Sequence, residues 1–267
     1  MASGTKTRRG DIALYLVITF GLTWSVAVMA IGFPVWFTAT FGQLSERSPM
    51  FYAAVWTPNV AAILLTLTRG EKGAFAALMA ALLRWRVPLL WWLIAIFFYP
   101  ALVLISQLIN LALHEPVAPL SAWTLVVPAV FSLPALLLGP LGEELGWRGY
   151  LLPRVLERVS PAAAALIVGV IWMIWHIPAF LVSGLPQSGM SFGIFFFGGV
   201  ALSVFMTWIY VHTRGSILLS GVVFHTIVNA CGALGPMTQI QGAILVAAAL
   251  VVILIAGRNL GRHSASA

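Results

Sequence analysis

The sequence predicts an all-α fold, a polytopic transmembrane helical bundle of about eight spans with both termini cytoplasmic. Three observations carry that expectation. Of the 267 residues, 61% are hydrophobic and only 8% charged; the apolar residues gather in runs of span length; and the cations between those runs fall on alternate sides. With a mean hydropathy of +1.02, there is too little polar sequence to cover the surface of a soluble domain.

Apolar runs of about 20 residues, enough to cross hydrocarbon, fall at 12–33, 51–68, 88–113, 123–141, 161–183, 191–211, 217–235 and 242–257. The first follows a basic start, as a signal peptide would. It exceeds an h-region of about 7 to 15 residues and lacks an obvious small-residue cleavage site, so it reads as a retained helix. After the second run, Phe75 to Arg86 reads as an interfacial or re-entrant segment, with Trp85 between Arg84 and Arg86. Trp91 and Trp92 open the third run where an aromatic belt would lie.

The fourth apolar region runs past Pro134 and Pro140 to Leu156, too far for one straight span. Pro140 lacks a backbone donor and suits the start of a helix, which predicts a new helix from about Leu141 to Arg158. If Arg154 and Arg158 mark a membrane surface, Glu143 lies roughly 16 Å from Arg154 at 1.5 Å per residue. In the alternative reading the run 123–141 completes the span and the carboxylates sit at its edge.

Lys and Arg collect on the cytoplasmic side of membrane proteins. With the N-terminus inside, the cytoplasmic segments carry Lys6, Arg8, Arg9, Arg69, Lys72, Arg84, Arg86, Arg148, Arg154, Arg158, Arg214, Arg258 and Arg262, leaving only Arg47 of the 14 cations outside. The net charge of +7 is therefore explained by topology and anionic lipid, and no nucleic-acid partner is expected. Cys231 is the only cysteine, which excludes an internal disulfide. No linker or low-complexity tract interrupts the chain, so 1–267 reads as a single integral membrane domain.

Ionisable groups inside apolar sequence are costly and mark function. The stretch Gly142 to Tyr150 holds Glu143, Glu144 and Arg148; Trp172 and His176 lie one turn apart in the fifth run, and His225 and Asn229 one turn apart in the seventh. On a helix Glu144 and Arg148 share a face, which suits a charge-assisted bond, while Glu143 turns about 100° away without a local cation and is free to act as a base. The Trp172 indole would cover one face of the His176 ring. Glu143 with His176 could activate a water while His225 and Asn229 donate to a developing oxyanion. Alternatively, Glu143, His176 and His225 could ligate zinc with water in the open position. Either arrangement places the catalytic motifs within 140–229.

These motifs resemble those of the CPBP intramembrane proteases, the group containing the eukaryotic type II CAAX prenyl endopeptidases and many bacterial Abi-type proteins. Glu-Glu-x-x-x-Arg is similar to Glu143, Glu144 and Arg148; the aromatic before His is similar to Trp172 and His176, with Trp where Phe is commoner; His-x-x-x-Asn is similar to His225 and Asn229. The resemblance implies eight helices around a site opening toward the cytosol, in which Glu143 and His176 activate water. It also implies that His225 and Asn229 hold the oxyanion while Glu144 and Arg148 support the geometry. Members of the group are described both as metalloproteases and as metal-free glutamate-dependent enzymes, so zinc stands as an open cofactor.

The expected function is that of an intramembrane endopeptidase acting on a membrane-anchored peptide or protein, CAAX-type lipidated substrates being one option, in the lipid bilayer of a bacterial plasma membrane. Two other classes compete with it. A non-catalytic bacteriocin-immunity or scaffold protein would use the same polar groups as interhelical glue. A proton-coupled transporter would show inverted repeats with paired broken helices, whereas Pro140 marks a single break. Asp11 is the only aspartate, which excludes a diaspartyl site, and Ala118 stands where a His-Glu-x-x-His motif begun at His114 would need its second histidine. Ser220 lies five residues before His225, off its helical face, and is discounted as a nucleophile.

Overall fold

The computed structural model describes residues 9–70, 72–119, 121, 123 and 139–261, and the regular structure among them is entirely helical. The chain opens with α1 (Arg9–Gly32), α2 (Pro34–Phe41), α3 (Pro49–Val55), α4 (Thr57–Arg69), α5 (Ala74–Leu82) and α6 (Leu89–Ala112). Then α7 (Pro140–Glu144), a π-helical segment (Leu145–Leu151) and α8 (Leu152–Leu156) run on as one rod. There follow α9 (Pro161–Trp175), α10 (Ile177–Leu181), α11 (Phe192–His212), a second π-helical segment (Leu218–Val223), α12 (Phe224–Cys231) and α13 (Gln239–Ala256).

Proline sets many of these starts, because the first turn of a helix needs no N–H from it. Pro34, Pro49, Pro140 and Pro161 each open a helix as the sequence suggested for Pro140. Ser48, Ser160 and Thr238 cap α3, α9 and α13 by accepting from the backbone N–H of Phe51, Ala163 and Gln241.

Five helical stretches are long and apolar enough to cross a membrane: Gly10–Gly32, Leu89–Ala112, Pro161–Leu181, Phe192–His212 and Gln239–Ala256. A sixth is the pair α3 and α4, bent by 51° ahead of Pro58, which has no N–H to continue the ladder. The expected run 217–235 is the shorter apolar helix Leu218–Leu234, and 123–141 falls almost wholly outside the described residues. The count among the described residues is thus five or six, against the eight expected.

Helix α9 packs closely on α11. A Cβ on Gly169 would lie 2.9 Å from Ser203 Cβ and 3.1 Å from the Val200 Cα, so only glycine lets the backbones approach this closely. The Ser203 hydroxyl donates to the Ala165 carbonyl at 2.9 Å. Small residues with one polar tie are how helices associate where lipid supplies no hydrophobic drive.

Two expectations change. Trp91 does not face a headgroup belt: it is buried and stacks on His212 at 4.5 Å, with Trp208 edge-on. Arg148 does not belong to a loop, being wholly buried beside Glu144. Apart from Arg47, before α3, the remaining described cations gather at one end of the bundle. Arg69 pairs with Asp11 at the start of α1, Arg84 donates to the Arg214 carbonyl, and the Arg258 carbonyl accepts from Ala162 at the start of α9.

Candidate active site

The site is built where α7 begins. Gly139 adopts φ +146°, a conformation open to glycine, and the helix starts immediately after it. A Cβ at this position would sit 3.3 Å from Glu143 Oε1, 3.1 Å from Asn229 Nδ2 and 3.3 Å from His225 Cε1. Three of the expected residues therefore converge on one bare backbone point, from α7 and α12.

Glu143 is 3% exposed, and its other oxygen is held rigidly. The indole N–H of Trp172 donates to Oε2 at 2.7 Å and that of Trp147 donates at 3.3 Å. With Oε2 taken by two donors, Oε1 is the atom presented toward Gly139. Among the described residues no Lys or Arg forms a salt bridge with this carboxylate, the buried guanidinium of Arg148 pairing with Glu144 instead.

Glu144 faces the other way and is the hub of a buried ion cluster. Its Oε1 accepts from Arg148 Nη1 at 3.0 Å and from His225 Nδ1 at 2.9 Å. Arg148 is completed by Met206 Sδ and by the Trp172 ring, 4.5 Å from its guanidinium carbon. The second π-helical segment makes room for this carboxylate: a Cβ on Gly221 would fall 2.8 Å from Glu144 Oε2 and 2.9 Å from its Cβ. Glu144 thus does more than pair with Arg148, because it also orients the His225 ring.

His176 stands at the junction of α9 and α10, where Pro178 interrupts the ladder. Its Nδ1 lies 2.8 Å from the Trp172 carbonyl. A carbonyl only accepts, so Nδ1 carries the proton and Nε2 of the neutral ring is left with a lone pair. Trp172 does not cover a face of this imidazole as expected; the rings meet edge-on, 5.7 Å apart at 66°. Its true position is central, touching Glu143, Arg148, His176 and His225 at once.

Two residues that the motif reading missed belong here. Trp147 carries the second donor to Glu143, and its place four residues along the same helix was a usable signal. Asn59, fully buried on α4, accepts from the Gly146 N–H at 3.0 Å and donates to the Leu141 carbonyl. It clamps the rod on both sides of the two carboxylates, at the point where α-helical pairing gives way to π-helical pairing. It lies far outside 140–229, in a run where a polar Asn was itself conspicuous. Ser220 is discounted on geometry as well, since its hydroxyl donates to the Ser216 carbonyl at 2.6 Å.

A cavity of about 610 Å³ reaches these groups, lined by Glu143, Trp172, His176, His225 and Asn229 together with the apolar side chains of Val26, Phe51, Val182 and Phe195. The donors expected for zinc do not gather into a ligand set: among the described residues no three His, Cys, Asp or Glu side chains come close enough to hold a metal ion.

Fold and site together define a polytopic helical membrane protein with a buried carboxylate and imidazole centre at the inner end of a cavity. The comparisons place that class. Residues 123–231 match the family model described as Type II CAAX prenyl endopeptidase Rce1-like. The chain is also 30% identical over 171 residues to CAAX prenyl protease 2 of Methanococcus maripaludis, covering 58% of this chain and 62% of that relative, so it spans under two thirds of the relative's length. Over residues 123–231 the chain is thus similar to the Rce1-like family, in the same stretch whose three motifs resemble the CPBP group.

Proposed function

We propose that the protein is an intramembrane endopeptidase that hydrolyses peptide bonds of membrane-associated polypeptides with a water activated by Glu143. The observation that carries this reading is the convergence of Glu143 Oε1, His225 and Asn229 on Gly139, in a cavity that His176 also lines. The relative of M. maripaludis is by name a CAAX prenyl protease, which supports the same chemistry.

The chemistry runs as follows. Water enters the cavity and is positioned by the lone pair of His176 Nε2. Glu143 Oε1 takes a proton from it, and the water oxygen bonds to the substrate carbonyl carbon as the carbonyl becomes an oxyanion. Asn229 Nδ2–H donates to that oxyanion. His225 can do so only from Nε2, because its Nδ1 is engaged with Glu144. Glu143 then returns its proton to the amide nitrogen, the C–N bond breaks, and an acid and an amine leave.

The test is cleavage of a fluorogenic membrane-anchored peptide library by purified protein in detergent. Glu143→Gln retains shape and the two indole donors but removes the base, and is expected to lower turnover by at least about 100-fold, a typical worth of general base catalysis. Cleavage unaffected by a chelator supports a step without metal; loss on chelation with rescue by zinc assigns His176 and His225 to a ligand set. Equal cleavage by wild type and Glu143→Gln overturns the role of Glu143, and no cleavage by either favours a scaffold or immunity protein.

A further inference from the structure

The cavity has a direction, and it disagrees with a cytosol-facing site. Besides the catalytic groups, its lining comes from three connections: Leu44 and Glu46 before α3; Leu185, Gln187 and Met190 between α10 and α11; and Gly235 with Met237 before α13. These connections meet each other, Leu44 packing with Val182 and Leu185 in one apolar cluster and Met237 lying against Gly198 near the start of α11. They join the ends of helices remote from the cations. Arg69 ends α4, Arg154 lies in α8, Arg214 follows α11 and Arg258 follows α13, and no lining residue comes from these segments.

The Glu143 carboxylate stands eleven residues, roughly 16 Å, from Arg154 along the rod, about half the depth of a hydrocarbon core near 30 Å. From that mid-depth point the cavity extends away from the arginines. With Arg148 a buried site residue, the cations of the described segments lie at the far end except Arg47, beside Glu46 at the mouth. The positive-inside rule puts the cation-rich end in the cytosol.

We propose that the cavity opens on the exoplasmic face, and that its substrates are exoplasmic segments of membrane-anchored polypeptides rather than cytosolic C-terminal tails. The statement about substrates rests on the endopeptidase reading; the statement about the mouth does not. With the cation-rich end in the cytosol, a peptide reaches Glu143 only from the exoplasmic surface or laterally from that leaflet. The wall it meets is apolar, with a polar spot where Gln241 Nε2 donates to the Tyr99 hydroxyl at 3.0 Å. Extended, apolar juxtamembrane sequence suits such a wall.

The test uses the full chain in intact cells with Cys231→Ala as background. Single cysteines at Glu46 and Gln187, at the mouth, and at Lys72 and Arg86, at the cationic end, are probed with a membrane-impermeant charged maleimide. The expected result is labelling of Glu46→Cys and Gln187→Cys in intact cells, with Lys72→Cys and Arg86→Cys labelled only after permeabilisation. The reverse pattern overturns the proposal. In the same cells, single-span reporters carry the cleavable segment on one side or the other, with wild type or Glu143→Gln. Cleavage confined to the exoplasmic reporter supports the substrate class, and cleavage of the cytosolic one alone refutes it. An exoplasmic mouth with neither reporter cut leaves the orientation standing and removes the endopeptidase reading.

Discussion

Asn59→Leu removes the two hydrogen bonds by which α4 holds the catalytic rod while nearly preserving side-chain volume. The Gly146 N–H and the Leu141 carbonyl, both satisfied by Asn59, lose their partner inside a fully packed contact. Interhelical bonds within membranes average about 0.6 and reach about 1.7 kcal/mol, and a buried group left unpaired costs about 1–3 kcal/mol. Two such losses amount to roughly 1–4 kcal/mol. Thermal unfolding in detergent, followed by tryptophan fluorescence, reads that loss directly. Trp147 and Trp172 both touch Glu143, so their emission should also report the rod shifting before global unfolding. A variant within about 0.5 kcal/mol of wild type, the range of an ordinary surface substitution, would refute the claim that Asn59 sets the register of the carboxylates.

Trp172→Phe deletes the shorter of the two donors to Glu143 while keeping a ring beside Arg148 and both histidines. A hydrogen bond to a charged group is worth about 1.5–3 kcal/mol, so turnover in the peptide assay should fall by about 10–100-fold with little change in apparent melting temperature. Arg148→Met strands Glu144 as a buried charge facing only His225, which should destabilise by roughly 3–5 kcal/mol. The double variant Glu144→Gln, Arg148→Met should recover much of that loss in the same unfolding experiment, and a double variant no more stable than Arg148→Met would contradict the ion cluster as described.

Much of the fold was legible because membranes demand it. Runs such as 88–113 and 191–211 returned as α6 and α11 with ends shifted by a residue or two, since hydrocarbon admits little but helices. Pro140 opened its helix as expected, and the Glu144 to Arg148 spacing closed into a contact, because both follow from local geometry. What stayed hidden depended on packing between distant segments. The spacing of Trp172 and His176 placed the two side by side but could not say that the indole turns its N–H to Glu143. Nothing in the order His225, Asn229 revealed that Glu144 would hold the ring, because that bond spans 81 positions. Asn59 was visible as a polar residue in an apolar run, yet its partners are backbone atoms that no motif records.

The single oxygen of Glu144 shared by Arg148 and His225 has a consequence for biogenesis. The chain enters the membrane from its N-terminus, so Glu143, Glu144 and Arg148 are inserted first, Trp172 and His176 second, and His225 with Asn229 more than seventy residues after Arg148. Through most of insertion Glu144 has Arg148 as its partner, and the point above Gly139 lacks both its imidazole and its carboxamide. Whatever reaction the cavity performs is therefore switched on by α12 settling into place. A nascent chain stalled before Phe224 would be inert, with no propeptide or inhibitor needed to keep it so.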